Sequence, residues 1–257
     1  MIGNEPWGYY DASTYHAITK GFIEGIDEYY LNDPTNKIKL LTAAFQANRV
    51  ENTTPANSSD NSSWKDYMNT RVCSDIRNKL VGINLHPYSN DILDMGTYHK
   101  QRLLAYPEQT YLVGTTVKAQ SKFLAIRNAW KWLQANPMQK QDIYVSEYGW
   151  DSDTEGVVCG EPIKKDAMGV GFETQAIYTI RSLLMMSRYG VTKATWYQAF
   201  DDKGVANCPF AHFGGGIWKN RFDANPTNTK YIFKAFDKFI QKAGNLKFHY
   251  ALRMGGQ

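Results

Sequence analysis

The chain has 257 residues, 43% of them hydrophobic and 21% charged, with 29 Lys and Arg against 25 Asp and Glu and a formal net charge of +4. That composition is long and apolar enough to bury a core, and it excludes disorder over most of the length. No apolar run reaches the about 18–20 residues of a membrane-spanning helix, and the basic residues do not cluster into a nucleic-acid footprint.

In chain order, a strand stub at Met1–Gly3 leads to a helical stripe of Tyr15, Ile18, Phe22, Ile26 and Tyr29 behind the capping candidates Asp11 and Ser13. Ile38–Ala43 reads as a short buried strand. Glu51–Ser63 is a solvent loop rich in Asn, Ser and Thr. Its Asn-x-Ser/Thr triplets at Asn52, Asn57 and Asn61 are either glycosylation sites or products of that composition. A second stripe follows at Trp64, Met68, Val72 and Ile76, then a strand at Leu80–Leu85 and a long loop at Asp91–Gln120. A third stripe, Phe123, Ile126, Trp130 and Leu133, is stopped by Asn136-Pro137. Strands at Asp142–Ser146 and Thr192–Tyr197 flank a fourth stripe, Phe172, Ala176, Ile180, Leu184 and Ser187, which ends at Gly190. The fifth stripe, Tyr231, Ala235, Phe236, Phe239 and Ile240, ends at Gly244. Short apolar strands alternating with helices predict an α/β fold, a parallel sheet covered by helices.

Aromatic residues make up 14% of the chain. They serve core packing or, at strand ends, stacking platforms for flat ligand faces. Cys73, Cys159 and Cys208 are too few for a disulfide scaffold and lack metal-ligand spacing. His16, His86, His99, His212 and His249 lack paired ligand spacing too, so neither metal nor cofactor is expected. The start, Met1 to Pro6, shows no basic segment and no apolar targeting core.

Two motifs carry chemistry. Asn4-Glu5-Pro6-Trp7 places a carboxylate before a Pro that forces an extended exit. Tyr144 to Trp150 (YVSEYGW) ends a buried strand on Ser146-Glu147-Tyr148-Gly149-Trp150. Ligands bind at the carboxyl ends of strands in parallel α/β folds, so Glu147 is expected in a cleft. Two carboxylates flanking one bond are the machinery of glycoside hydrolysis: one donates a proton to the leaving oxygen, the other attacks the anomeric carbon.

These two motifs resemble those of the retaining glycoside hydrolases of clan A. The resemblance implies a (β/α)8 barrel in which Glu5 ends strand four as general acid/base and Glu147 ends strand seven as nucleophile. It implies that Asn4 binds the sugar 2-hydroxyl. His86-Pro87-Tyr88 is similar to the clan's strand-six pattern, with Tyr88 bonding the nucleophile and His86 lining the sugar site. Ala194–Asp202 resembles the final strand; Trp196 is favoured over Gln198 as its sugar-stacking residue. Trp7 and Trp150 are subsite walls or packing residues.

If Glu5 ends strand four, strands one to three are missing, and only an incomplete barrel of strands four to eight is present. The expectation is therefore a partial barrel domain over residues 1–244, and a tail or truncated β-domain over 245–257, where Leu246–Leu252 alternates like a strand. The implied activity is retaining hydrolysis of β-linked oligo- or polysaccharide. The implied partners are the carbohydrate and the missing amino-terminal barrel half; no nucleic acid and no membrane span are expected. Secretion is the implied setting; there Cys159 and Cys208, on loops of the catalytic face under this resemblance, either pair or stay as free thiols. The alternative is a non-catalytic carbohydrate-binding half-barrel.

Overall fold

The structure is a computed structural model. It describes residues 10–46, 72–88, 90–92, 102–104, 107, 123–136, 140–150, 152, 157–158, 161–162, 170–200, 215–218 and 229–245. The expected stub at Met1–Gly3, Trp64 and Met68 of the second stripe, the Glu51–Ser63 loop and the Leu246–Leu252 tail lie outside the described residues.

Helix α1 spans Ala12–Tyr29, and Asp11 caps it by accepting the Thr14 N–H at 2.7 Å. That bond, with a second from the Ser13 hydroxyl, holds the Asp11 carboxyl below the usual carboxylate range. The buried stripe is Tyr15, Thr19 and Ile23. This corrects the predicted face: Phe22 and Tyr29 point to solvent, with Tyr29 81% exposed. The helix turns toward the position where the Tyr15 hydroxyl finds a backbone donor, the Ala43 N–H.

Strands β1 (Leu41–Gln46), β2 (Gly82–His86), β5 (Asp142–Tyr148) and β8 (Val191–Trp196) form one four-stranded parallel sheet in the order β1-β2-β5-β8. The first strand begins three residues later than the sequence pattern predicts, and Ile38 is exposed. Before it, Asp27 of α1 pairs with Lys37 and with Lys79 (3.2 Å), and these lysines hold its carboxyl below the usual range, Lys37 the more strongly. Of the second stripe, Ile76 lies in helix α2 (Ser74–Arg77) and Val72 lies just before that helix. Helix α3 (Leu124–Ala135) precedes β5, and α4 (Phe172–Arg188) precedes β8. Parallel neighbours need such crossovers. The Asp91–Gln120 stretch, predicted as loop, contains strand structure: Asn90–Ile92 (β3) pairs antiparallel with Arg102–Leu104 (β4). Val157–Val158 (β6) and Glu161–Pro162 (β7) form a second short antiparallel pair.

The chain divides into two interleaved compact units. The first comprises residues 1–87, 124–147 and 190–195. Its buried residues include Tyr15 and Ile23 of α1 and Ile83, Leu85, Ile143 and Val145 of the sheet, all at most 6% exposed. Gln141 ties the entry of β5 to the Arg77 carbonyl at the end of α2 (2.9 Å).

The second unit comprises residues 88–123, 148–189 and 196–257. It packs aromatically, with Phe123 stacked on Trp150 at 5.4 Å and Trp196 set edge-on to Tyr148 and to Phe236 of helix α5 (Tyr231–Ala243). The buried face of α4 is partly polar: Gln175, Thr179 and Ser182 are fully buried, which the apolar stripe of the sequence does not predict. Each is hydrogen-bonded, Gln175 Nε2 to the Trp150 carbonyl and the two hydroxyls to carbonyls of their own helix. Those bonds offset part of the cost of burying them. Among the described residues no helix is long and apolar enough to cross a membrane.

Candidate active site

β2 and β5 are interior strands, registered with Asn84 opposite Tyr144 and Leu85 opposite Val145. All five residues of β2 are buried, yet two of them, Asn84 and His86, are polar. Successive side chains alternate across a sheet, so Asn84 and His86 share one face while Ile83 and Leu85 fill the other. Between Leu41 and Ala44 the β1–β2 register shifts. In that stretch the Asn84 N–H donates to the Thr42 hydroxyl at 2.9 Å, which itself donates to the Ala43 carbonyl.

At the carboxyl end of β5, Ser146 binds both polar residues of β2. Its hydroxyl lies 2.8 Å from Asn84 Nδ2 and 2.8 Å from His86 Nε2, and its backbone N–H donates to Asn84 Oδ1 at 3.1 Å. The next residue is Glu147. Its carboxylate Oε2 is 3.8 Å from His86 Nδ1, and its side chain is 31% exposed, whereas His86 is fully buried. A half-exposed carboxylate at a strand's carboxyl end, beside a buried imidazole, can act as nucleophile or proton carrier toward a ligand reaching it from solvent.

The other residues singled out by sequence belong to the second unit or fall outside the described residues. Tyr88 is 6% exposed and meets the Tyr197 ring edge-to-face at 6.4 Å. Trp150 is fully buried, with its ring among Phe123, Tyr178 and Trp196. Trp196 donates its indole N–H to the Gly215 carbonyl at 2.8 Å and keeps partial exposure. Burial pushes the Tyr148 phenol well above its ordinary pKa, and a hydrogen bond with Ser182 works in the opposite direction. Asn4, Glu5 and Trp7 lie outside the described residues, as do Cys159 and Cys208.

Sequence reading did not single out Asn84 or Ser146 as functional. Their signal is a polar side chain inside an otherwise apolar buried strand, which must find a partner. It also missed a cluster of His16, Cys73 and Asp75, whose ligand atoms lie within 4.8 Å of one another. His16 and Asp75 are 59 residues apart, so no local spacing reveals them. His16 Nε2 sits 3.0 Å from Asp75 Oδ1 and holds that carboxyl below its usual range.

No family model and no curated protein matches the chain. Among solved structures it is similar to a monomeric β-xylosidase from Caulobacter crescentus CB15, with a TM-score of 0.50 and 14% identity over 93% of this chain and 40% of that one. It is less similar to a glycoside hydrolase family 17 β-1,3-glucanosyltransferase from Rhizomucor miehei (TM-score 0.41, 14% identity, 89% of this chain and 62% of that one). A family 5 xyloglucanase from Paenibacillus pabuli gives a TM-score of 0.44 at 14% identity, over 93% of this chain and 59% of that one. The chain thus spans less than two thirds of the length of these proteins. The likeness to the xylosidase is one of fold, an α/β arrangement with four parallel strands in one sheet and helices.

Proposed function

We propose that this chain is part of a retaining O-glycosyl hydrolase barrel acting on β-linked oligo- or polysaccharide, with Glu147 as nucleophile and Glu5 as general acid/base. The observation that carries the reading is the placement of Glu147: the carboxyl end of an interior parallel strand, open to solvent, with His86 of the adjacent strand 3.8 Å from its carboxylate. Strand ends of this kind are where parallel α/β enzymes hold their reacting groups.

In the proposed reaction a Glu147 oxygen forms a bond to the anomeric carbon while the glycosidic C–O bond breaks and Glu5 gives its proton to the departing oxygen. Glu5, now ionised, takes a proton from water; the water oxygen attacks the anomeric carbon and Glu147 leaves as carboxylate. The two carboxyl groups then stand about 5–5.5 Å apart. Asn4 holds the 2-hydroxyl, Tyr88 offers its phenol to Glu147, His86 lines the site, and Trp196 and Trp7 meet sugar faces.

The proposal includes further βα units that complete the barrel. β8 supports this, because Thr192, Lys193, Ala194 and Thr195 are exposed on a strand at the end of the sheet. Strands of parallel sheets are ordinarily covered on both faces. A secreted setting belongs to the same proposal.

The test is incubation of the protein, alone and extended by its upstream barrel units, with activated aryl β-glycosides and a 2-fluoro-glycoside. Labelling of the peptide that contains Glu147 is expected. Absence of turnover and of label with every glycoside, in a folded extended protein, sinks the enzyme reading and favours a carbohydrate-binding half-barrel.

A further inference from the structure

His16, Cys73 and Asp75 bring a ring nitrogen, a sulfur and a carboxylate oxygen within 4.8 Å of one another, all inside the first unit. His16 opens the second turn of α1, directly after buried Tyr15, and is itself half-buried. Cys73 is the N-cap of α2 and Asp75 lies in the first turn of that helix. The Cys73 carbonyl accepts the Ile76 and Arg77 N–H groups at 3.1 and 3.0 Å, which fixes the backbone carrying both side chains. Val72 and Ile76 are buried on either side of it. The donors therefore project from two anchored segments far apart in the chain.

The donor set suits a cation of intermediate softness. Imidazole and thiolate select zinc and its neighbours, whereas magnesium and calcium prefer oxygen alone. With zinc bonds of about 2.0–2.3 Å, a tetrahedral ion holds its ligand atoms about 3.3–3.6 Å apart. His16 Nε2 and Asp75 Oδ1 are 3.0 Å apart, and no pair in the cluster exceeds 4.8 Å. Closing to the tetrahedral spacing takes about 1 Å of side-chain movement, within reach of groups whose side chains are 24% and 47% exposed. An exposed His–Asp pair adds little by itself and calls for no sulfur beside it. Lys20, one turn beyond His16, also acts on Asp75; it is exposed, with Glu24 Oε1 4.0 Å from its ammonium, so solvent screens it.

We propose that His16, Cys73 and Asp75 bind a zinc-class divalent cation, which fastens α1 to the start of α2. Three protein ligands leave one tetrahedral position for water. On binding, a bond forms between the metal and Cys73 Sγ, the thiol S–H bond breaks, and its proton passes to solvent; nothing is oxidised or reduced. His16 Nε2 and an Asp75 oxygen turn from each other to the ion, and the thiolate and carboxylate together balance its double charge. The ion closes the long stretch of chain between His16 and Cys73, and a ligand held only by the folded state stabilises it. The site is independent of the glycosidase reading.

The experiment is titration of the full chain, stripped of metal and kept under a phosphine reductant, with Co2+ and then Zn2+. Saturation at one Co2+ per chain is expected, with a sulfur-to-cobalt charge-transfer band in the near ultraviolet. Zn2+ should displace the cobalt and bleach the band, and the Tm should rise with zinc concentration. Cys73→Ser should abolish the band. His16→Gln and Asp75→Asn should each weaken zinc binding by more than about 10-fold, the least that even outer-shell partners contribute at metal sites. Replacing Cys159 and Cys208 by Ser should leave the band in place. A folded unaltered protein without a saturable band overturns the proposal. So does a band that survives Cys73→Ser, that needs Cys159 or Cys208, or that equimolar Mg2+ removes, and so does unchanged zinc affinity in His16→Gln or Asp75→Asn. If Cys73→Ser fails to fold, those two variants decide. The readout needs no turnover: failure of the glycosidase reading leaves this site untouched, and an active protein that takes up no cobalt sinks only this proposal.

Discussion

The backbone N–H of Ala43 in β1 donates to the phenol oxygen of Tyr15 in α1 across 2.9 Å, with both residues buried. The first helix thereby supplies the acceptor for a donor at the edge of the sheet. Tyr15→Phe keeps the ring and removes the acceptor. Leaving a buried N–H unpaired costs about 1–3 kcal/mol, and a urea titration should show that loss. Unfolding coincident with that of the unaltered protein would mean the hydroxyl is not needed there.

Glu147→Gln tests the proposed nucleophile while keeping its size. Turnover of aryl β-glycosides should fall by about 10^4-fold or more, the scale seen when one member of a catalytic set is removed, with an unchanged circular dichroism spectrum. Glu5→Ala should slow the reaction less for substrates with good leaving groups, and added azide should recover part of the rate. Retained activity in Glu147→Gln removes that residue from the chemistry.

Asp27 predicts a pH dependence. Lys37 and then Lys79 lower its folded pKa below the ordinary 3.8. A depressed carboxylate adds stability that is fully present above the unfolded pKa and is lost as pH falls through the folded one. Asp27→Asn should therefore lower the Tm at neutral pH, and the gap to the unaltered protein should close on acidification below about pH 4. It should also narrow in high salt, since all three side chains are at least one third exposed. A gap that widens in acid contradicts the assignment.

Trp150 is fully buried, so its loss should register as stability. Trp150→Ala should cost about 3–5 kcal/mol, as for other fully buried large aromatics, measured by denaturant unfolding. Trp150→Phe should cost clearly less. Full stability in Trp150→Ala, accompanied by weaker sugar binding, would return the residue to the subsite role.

Gly149 follows Glu147 by two residues and has no room for a side chain. A Cβ there would lie 2.5 Å from the Tyr197 carbonyl oxygen, a backbone atom that cannot swing aside. Gly149→Ala should destabilise by about 1–3 kcal/mol, the usual range for overpacking, seen as a lower Tm. An unshifted melting curve would show that the strand end yields.

Much of this architecture was legible in the residue pattern. Asp11, the Asn136-Pro137 stop and Gly190 mark helix ends because their preferences are local: a side-chain acceptor, a missing N–H, a tolerated positive φ, which is +66° at Gly190. The buried faces are less legible. In α1 and α4 the largest apolar side chains suggested the buried stripe, yet Phe22 and Leu184 are exposed while Thr19, Gln175 and Thr179 are buried. Apolar size says that a side chain gains from burial. It does not say which neighbour will satisfy a polar one.

From the linear chain alone came the alternation of strand and helix and the expectation that Glu147 closes a buried strand, because both depend on residues adjacent in sequence. Only the folded chain decided that Asn84, His86 and Ser146 meet, that His86 faces the Glu147 carboxylate, and that Trp150 turns inward. Those contacts join residues about sixty positions apart or depend on packing direction. Parallel register and the twist of neighbouring strands establish them, and neither quantity is written in any single segment.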